Sequence, residues 1–178
     1  MRFIRRYKSE IYGNYRRAAL AYGSLTGGLM AVCVLVASLV GMPFSAPETY
    51  VTDGVMALSI FVSAYYYRRR LNVDDLSQKE LLLMGLDMGI VIGIVYGLLL
   101  WVVLLGCYPA LVSHFAEVRI NQMVSGVAGG VDEQLAHTIR CYNAADWAFI
   151  GAFRSFVLSI LFSFFAALIF GTRPKVSA

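Results

Sequence analysis

The sequence predicts an all-α membrane protein: a four-transmembrane-helix bundle with an extracytoplasmic helical cap between helices 3 and 4. Three observations carry that expectation. Of the 178 residues, 59% are hydrophobic and 15% charged, whereas soluble domains are about half apolar and about a quarter charged. The charges gather at the ends of four long apolar runs, each near the ~20 residues needed to cross ~30 Å of hydrocarbon. The Lys and Arg clusters also fall at alternate ends of successive runs, as they do when basic flanks stay cytoplasmic during insertion. At this length the four runs and their connections use nearly the whole chain, so residues 1–178 read as a single integral membrane domain.

The first span covers about residues 18–42, with no charge between Ala18 and Met42. Its apolar run is too long for a signal peptide, and Phe44-Ser45-Ala46 lacks the small residue expected three before a cut, so the segment is expected to be retained. The second span, about 50–67, is the shortest, with Asp53 just inside one end and Arg68, Arg69 and Arg70 closing the other. The third, about 81–105, follows a capping box of Ser77 and Glu80. The fourth, about 144–170, opens on Asn143 with Asp146 three residues later, and Gly171 and Pro174 stop it.

Orientation follows from the flanks. Arg2, Arg5, Arg6, Lys8, Arg16 and Arg17 precede span one, Arg68 to Arg70 and Lys79 lie between spans two and three, and Arg173 and Lys175 follow span four. Both termini are therefore expected in the cytoplasm, in a bacterial-type inner membrane crossed four times. Arg16, Arg17, Arg68, Arg69 and Arg70 form a lipid-facing basic anchor for anionic headgroups. The net charge of +4 thus points to lipid and not to nucleic acid, because the basic residues sit beside apolar runs. Ile4, Tyr7, Ile11 and Tyr15 at helical spacing predict an amphipathic N-terminal helix in the headgroup layer.

The connection from about 107 to 142 is long enough to hold structure of its own. Leu111, Val112, Phe115, Val118 and Met123 make an apolar stripe opposite Ser113, His114, Glu117, Asn121 and Gln122, which predicts a short helix. Gly126, Gly129 and Gly130 break it. A second short helix is expected from Asp132 to Cys141 with Leu135 and Ile139 inward. Cys107 and Cys141 stand at the two ends of this cap, where an oxidising periplasm permits a disulfide; two small thiols at helix ends also pack without one. Cys33, deep in span one, reads as packing.

Small residues recur along two spans. Gly85, Gly89, Gly93 and Gly97 occupy every fourth position of span three, and Gly151, Ser155, Ser159 and Ser163 begin an equivalent series in span four that continues through Ala167 and Gly171. Such seams let helix backbones approach closely. The two are expected to face each other within one subunit, with a homodimer seam as the alternative; Ser24 with Gly28, Gly27 with Ala31, and Ser59 with Ser63 give weaker versions. Asp87 and Arg154 are ionisable groups inside spans, which marks them as functional candidates. Arg154 either snorkels outward or pairs with Asp53. The short Asp87 side chain lies nearly opposite the glycine seam, so it meets span one or two or lines a small polar cavity.

The basic flank, the glycine-bearing first span, the close Tyr67-Arg68-Arg69-Arg70 and the stretch from Gly89 through Tyr96 to Trp101 resemble small inner-membrane proteins grouped as domain of unknown function 4199. The likeness covers about Arg17 to Leu105 and implies four spans, no established activity and no site residues. No catalytic motif, phosphate loop or His-Glu-x-x-His metal site occurs; His114, Glu117 and His137 can be drawn as a metal site but read better as solvated side chains. No cofactor is expected. The expected function is non-enzymatic: an accessory or scaffold subunit that packs against itself or against a membrane-associated envelope-biogenesis enzyme. The competing class is a small oligomeric proton- or cation-coupled transporter or channel using Asp87.

Overall fold

A computed structural model describes residues 2–39, 46–71, 78–107, 110–126 and 132–171, with side chains described for 16–39, 49–67, 78–105, 112–121, 123–124 and 132–171. These residues form six α-helices and one π-helical turn, with no strand among them: α1 (Arg2–Leu39), α2 (Ala46–Leu71), α3 (Gln78–Val102) with the π turn Val103–Cys107, α4 (Ala110–Gly126), α5 (Glu133–Arg140) and α6 (Ala144–Phe170). Three of the helices are long and apolar enough to cross a membrane: α1 over Arg16–Leu39, α3 with the π turn over Gln78–Leu105, and α6 over Ala144–Phe170. α2 is not among them. It is 26 residues long, but Asp53 and the Tyr65-Tyr66-Tyr67-Arg68 close shorten and weaken its apolar run.

α1 is a single helix and not an interfacial helix followed by a span, because nothing between Arg2 and Leu39 breaks it: no proline occurs, and the isolated Gly13 is tolerated. The side chains of Ile4, Tyr7, Ile11 and Tyr15 lie outside the described residues, as do Ser77 of the expected capping box, Gly129, Gly130 and Pro174. α2 starts earlier than its apolar run because Pro47 suits a first helical turn, where its missing N–H costs nothing. α6 has its expected bounds. Asn143 Oδ1 accepts from the backbone N–H of Ala145 at 2.8 Å and of Asp146 at 3.1 Å, while Asp146 Oδ2 accepts from Asn143 N–H at 2.8 Å. At the other end Gly171, in extended conformation, donates its N–H to Ala167 O at 2.9 Å.

The main core is α3, which packs along α6 on one side and α1 on the other; α2 packs against α1 and α6 and meets α3 only slightly. Met88 and Ile92 of α3, Met56 and Ile60 of α2, and Met30 and Val34 of α1 fill the centre and are almost wholly inaccessible. Ser63 of α2, whose hydroxyl donates to Ile60 O at 2.9 Å, has its Oγ 3.3 Å from Met88 Sδ, marking a point where α2 and α3 touch.

α4 and α5 form a smaller second core from Ala116, Ile120 and Ile139, with Met123, Ala136, Tyr142 and Trp147 against it. The buried face of α4 is therefore rotated toward Ala116 and Ile120, and Leu135 of α5 is exposed while Ala136 packs. Ser113, His114, Glu117 and Asn121 are exposed on α4.

Candidate functional site

The seam of α3 lies directly against that of α6. A Cβ placed on Gly85 would fall on the Ser163 side chain, and one on Gly89 would fall on Ser159 Oγ. At Gly93 it would lie 3.0 Å from Ala152 O, and at Gly97 2.8 Å from Ala152 Cβ. Rising numbers on α3 meet falling numbers on α6, so the two helices are antiparallel. Gly151 on α6 returns the contact, facing Leu100 Cδ2 and Tyr96 Cε1. The seam serines do not bond across it. Ser155 donates to Gly151 O at 2.9 Å, Ser159 to Phe156 O at 2.7 Å and Ser163 to Ser159 O at 2.5 Å, so each hydroxyl is satisfied by its own helix. What remains across the seam is van der Waals contact between nearly bare backbones.

A second close approach, between α1 and α3, uses Gly23 with Gly27. A Cβ at Gly23 would meet Val91 Cβ at 2.9 Å and Met88 O at 3.1 Å; one at Gly27 would meet Val95 Cβ at 3.0 Å and Ile92 O at 3.1 Å. Both numbers rise together, so α1 and α3 are parallel. The contact face runs Ala19, Gly23, Gly27, Ala31, all buried. Of the weaker sequence patterns, Gly27 with Ala31 lies on this face, whereas Ser24 is exposed and Gly28 has open space where its Cβ would be.

Asp53, Arg154, Asp87 and Arg16, on the four long helices, divide into two interhelical pairs. Arg154 of α6 donates from Nη2 to Asp53 Oδ2 of α2 at 2.5 Å. The other oxygen, Asp53 Oδ1, is buried and has no hydrogen-bond partner among the described residues. Asp87 of α3 meets Arg16 of α1, with Oδ2 3.9 Å from Nε, which is an ion pair without a hydrogen bond. Arg17 is exposed beside it, and the side chains of Arg68, Arg69 and Arg70 lie outside the described residues. Below the Asp53 pair, Phe61 and Tyr65 of α2 pack edge-on against Phe170 at the far end of α6, which makes α2 and α6 parallel.

Between α3 and α6, Arg140 Nε donates to Glu117 Oε1 at 2.8 Å and ties α5 to α4. That hydrogen bond, reinforced by the guanidinium charge, holds the Glu117 carboxyl below its ordinary range and pushes Arg140 up. Trp147 joins this pair of helices to α6, with its ring 5.8 Å from Phe115 and 5.6 Å from Tyr142; its Nε1 is buried without a partner among the described residues. Cys141 is exposed, its Sγ 3.8 Å from His137 Nδ1, and the disulfide permitted between Cys141 and Cys107 falls on a side chain outside the described residues. The Cys107 side chain lies outside the described residues, and Cys33 is half-buried. Glu117 is committed to Arg140, and no group of three or more His, Cys, Asp or Glu with metal-binding geometry occurs among the described residues. Comparison of the chain with protein families, with curated proteins and with solved structures finds no match.

Proposed function

We propose that this chain is a multi-pass inner-membrane protein whose four long helices all span, with both termini cytoplasmic and α4–α5 as an extracytoplasmic cap, and that it is a non-enzymatic accessory or scaffold subunit. The resemblance to domain of unknown function 4199 agrees with that architecture. The observation that carries the reading is that the charges and the small-residue seams on the long helices are engaged between helices of the chain itself. Both spanning carboxylates have an arginine on a neighbouring helix, and the longest small-residue seam is consumed between α3 and α6. These features hold a compact bundle together and leave the outward faces for lipid or a membrane partner, including a membrane-associated envelope-biogenesis enzyme or a second copy of the chain. α2, the least apolar of the four, is carried across by its contacts with α1 and α6.

Because Gly89 and Gly93 are internal, enlarging them tests the fold. The partner test belongs on the outward face of α6, where Phe149 and Phe153 stack and are among the most exposed side chains. Crosslinker-stabilised purification of the tagged chain from native membranes is expected to recover one heterologous membrane protein, lost on Phe149→Ala with Phe153→Ala. Recovery of lipid alone, unchanged in the double variant, overturns the scaffold reading.

The second reading is a proton- or cation-coupled transporter. It is favoured by Asp87 alone, whose carboxylate accepts no hydrogen bond among the described residues and whose side chain is part-exposed. That reading predicts a pH-gradient-driven flux in proteoliposomes that Asp87→Asn abolishes; flux equal in both proteins rules it out.

A further inference from the structure

We propose that Arg16 and Asp87 form a binding site for the headgroup of an amino-phospholipid, with the primary ammonium on the Asp87 carboxylate and the phosphate on the Arg16 guanidinium. The inference rests on the membrane-spanning reading and adds a ligand to it. Asp87 does not face the packed interior. Successive residues on an α-helix are 100° apart, so Asp87 shares one stripe of α3 with Ile90, Ile94, Leu98 and Trp101. All four of those side chains are exposed, while Gly85, Gly89 and Gly93 on the opposite face are buried against α6. The carboxylate therefore heads a lipid-facing stripe, at the edge where α1 meets α3.

A charge at that place needs hydrogen-bond donors, because acyl chains supply none. The protein supplies a charge but no donor contact: Arg16 Nε stands 3.9 Å away, and the carboxylate accepts no hydrogen bond among the described residues. The pair is also open, with the Arg16 side chain 74% and the Asp87 side chain 39% accessible. Arg16 lies two residues before the uncharged run that begins at Ala18, which places the pair at the boundary between headgroups and hydrocarbon. A cation and an anion side by side, both accessible, match the charge order of a zwitterionic headgroup. A primary ammonium brings three N–H donors to the carboxylate, whereas a quaternary one brings none. Arg16, with Arg17 exposed beside it, offers N–H donors to the phosphate. Ile90, Ile94 and Leu98 then form a track for one acyl chain.

The test is native mass spectrometry of the full chain, purified in detergent and supplied with phosphatidylethanolamine, its mono- and dimethylated forms, or phosphatidylcholine, all with the same acyl chains. Wild type is expected to retain phosphatidylethanolamine about tenfold better than phosphatidylcholine, the factor corresponding to one charge-assisted contact, with retention falling stepwise along the methylation series. Asp87→Asn is expected to erase the preference, and Arg16→Gln to weaken retention of every lipid in the series. Equal retention across the series by wild type overturns the site, as does a preference that survives in Asp87→Asn with unchanged helical content. If Asp87→Asn does not fold, the methylation series on wild type decides alone. Failure of the membrane reading looks different: the chain would then be released from membranes by alkaline carbonate.

Discussion

At the scale of single residues, the absence of a side chain is what organises this molecule. Gly89 has no room for even a Cβ, because Ser159 Oγ occupies the place, whereas Gly28 faces open space. Gly89→Leu is therefore expected to destabilise the detergent-solubilised protein by at least the ~1–3 kcal/mol typical of overpacking, and Gly28→Leu to leave it nearly unchanged; thermal unfolding followed by circular dichroism compares the two. The pairing of Arg154 with Asp53 gives a second contrast. Their side chains are 42% and 23% accessible, so removing Arg154 should cost between the ~0.2–1 kcal/mol of an exposed pair and the ~3–5 kcal/mol of a buried one. Arg154→Met with Asp53→Leu is expected to recover much of that loss, since no unpaired carboxylate is left behind. A double-mutant cycle measures it, and two single variants whose effects merely add would show the pair to be inert. Both features were legible in part. Glycines every fourth residue identify the contact face of α3 because four residues turn the helix by about 400°, which keeps them on one side. The Asp53 and Arg154 pairing is suggested by their positions at the same ends of their helices, though only as one of two fates for the arginine. The α1 face is only half legible, through Gly27 with Ala31, for a physical reason: Gly23/Gly27 and Ser24/Gly28 are overlapping patterns about 100° apart, and spacing alone does not say which one meets a neighbour.

At the scale of helices, the α4–α5 pair behaves as a unit attached to the rest by aromatic packing. Trp147 contacts Phe115 and Tyr142 at once, and each such pair contributes about 0.5–1.5 kcal/mol beyond area burial. Trp147→Ala is expected to raise amide exchange across α4 and α5 while the centres of α3 and α6 stay protected; equal loss of protection everywhere would mean that the pair has no separate stability. The Glu117 and Arg140 contact adds a pH dependence with a definite sign. The folded state lowers the Glu117 pKa below its ordinary value of 4.5, so the contact contributes fully above that value and is lost as pH falls through the folded pKa. The protection of α5 amides relative to their intrinsic exchange should consequently fall only in strongly acidic buffer, be insensitive to pH near neutrality, and lose its acid step in Glu117→Gln. Polar and apolar alternation showed where these two helices begin and end, since Asp132 caps α5 as its sequence implies, accepting from Gln134 N–H at 3.1 Å. It did not give their inner faces, because Ala116 and Ala136, which pack in the small second core, carry little hydrophobic signal. The π turn at Val103–Cys107 left no mark in the sequence pattern at all.

At the scale of the whole molecule, helix direction and charge placement bear on one question, the side of the membrane on which each end lies. α1 and α3 are parallel and α6 runs against them, as the glycine contacts require. Any arrangement in which all four long helices span then puts Arg16, Asp87 and the end of α6 at one face, and Asp53, Arg154 and α4–α5 at the other. In the proposed topology the Lys and Arg flanks make the first face the cytoplasmic one. This choice has a consequence that the native thiols report without new substitutions in the loop. Cys141 is exposed at the end of α5, and Cys33 is half-buried within α1. In intact cells of a Cys107→Ala variant with the outer membrane made permeable, a membrane-impermeant maleimide is expected to label Cys141 rapidly and to leave Cys33 unmodified until the membrane is dissolved. Labelling of Cys141 only in inside-out vesicles would reverse the orientation while leaving the helix packing intact, since antiparallel contacts are the same viewed from either side. Labelling from neither side would instead mean that α4–α5 is covered by another component, and the position of Cys141 would then mark where that component sits.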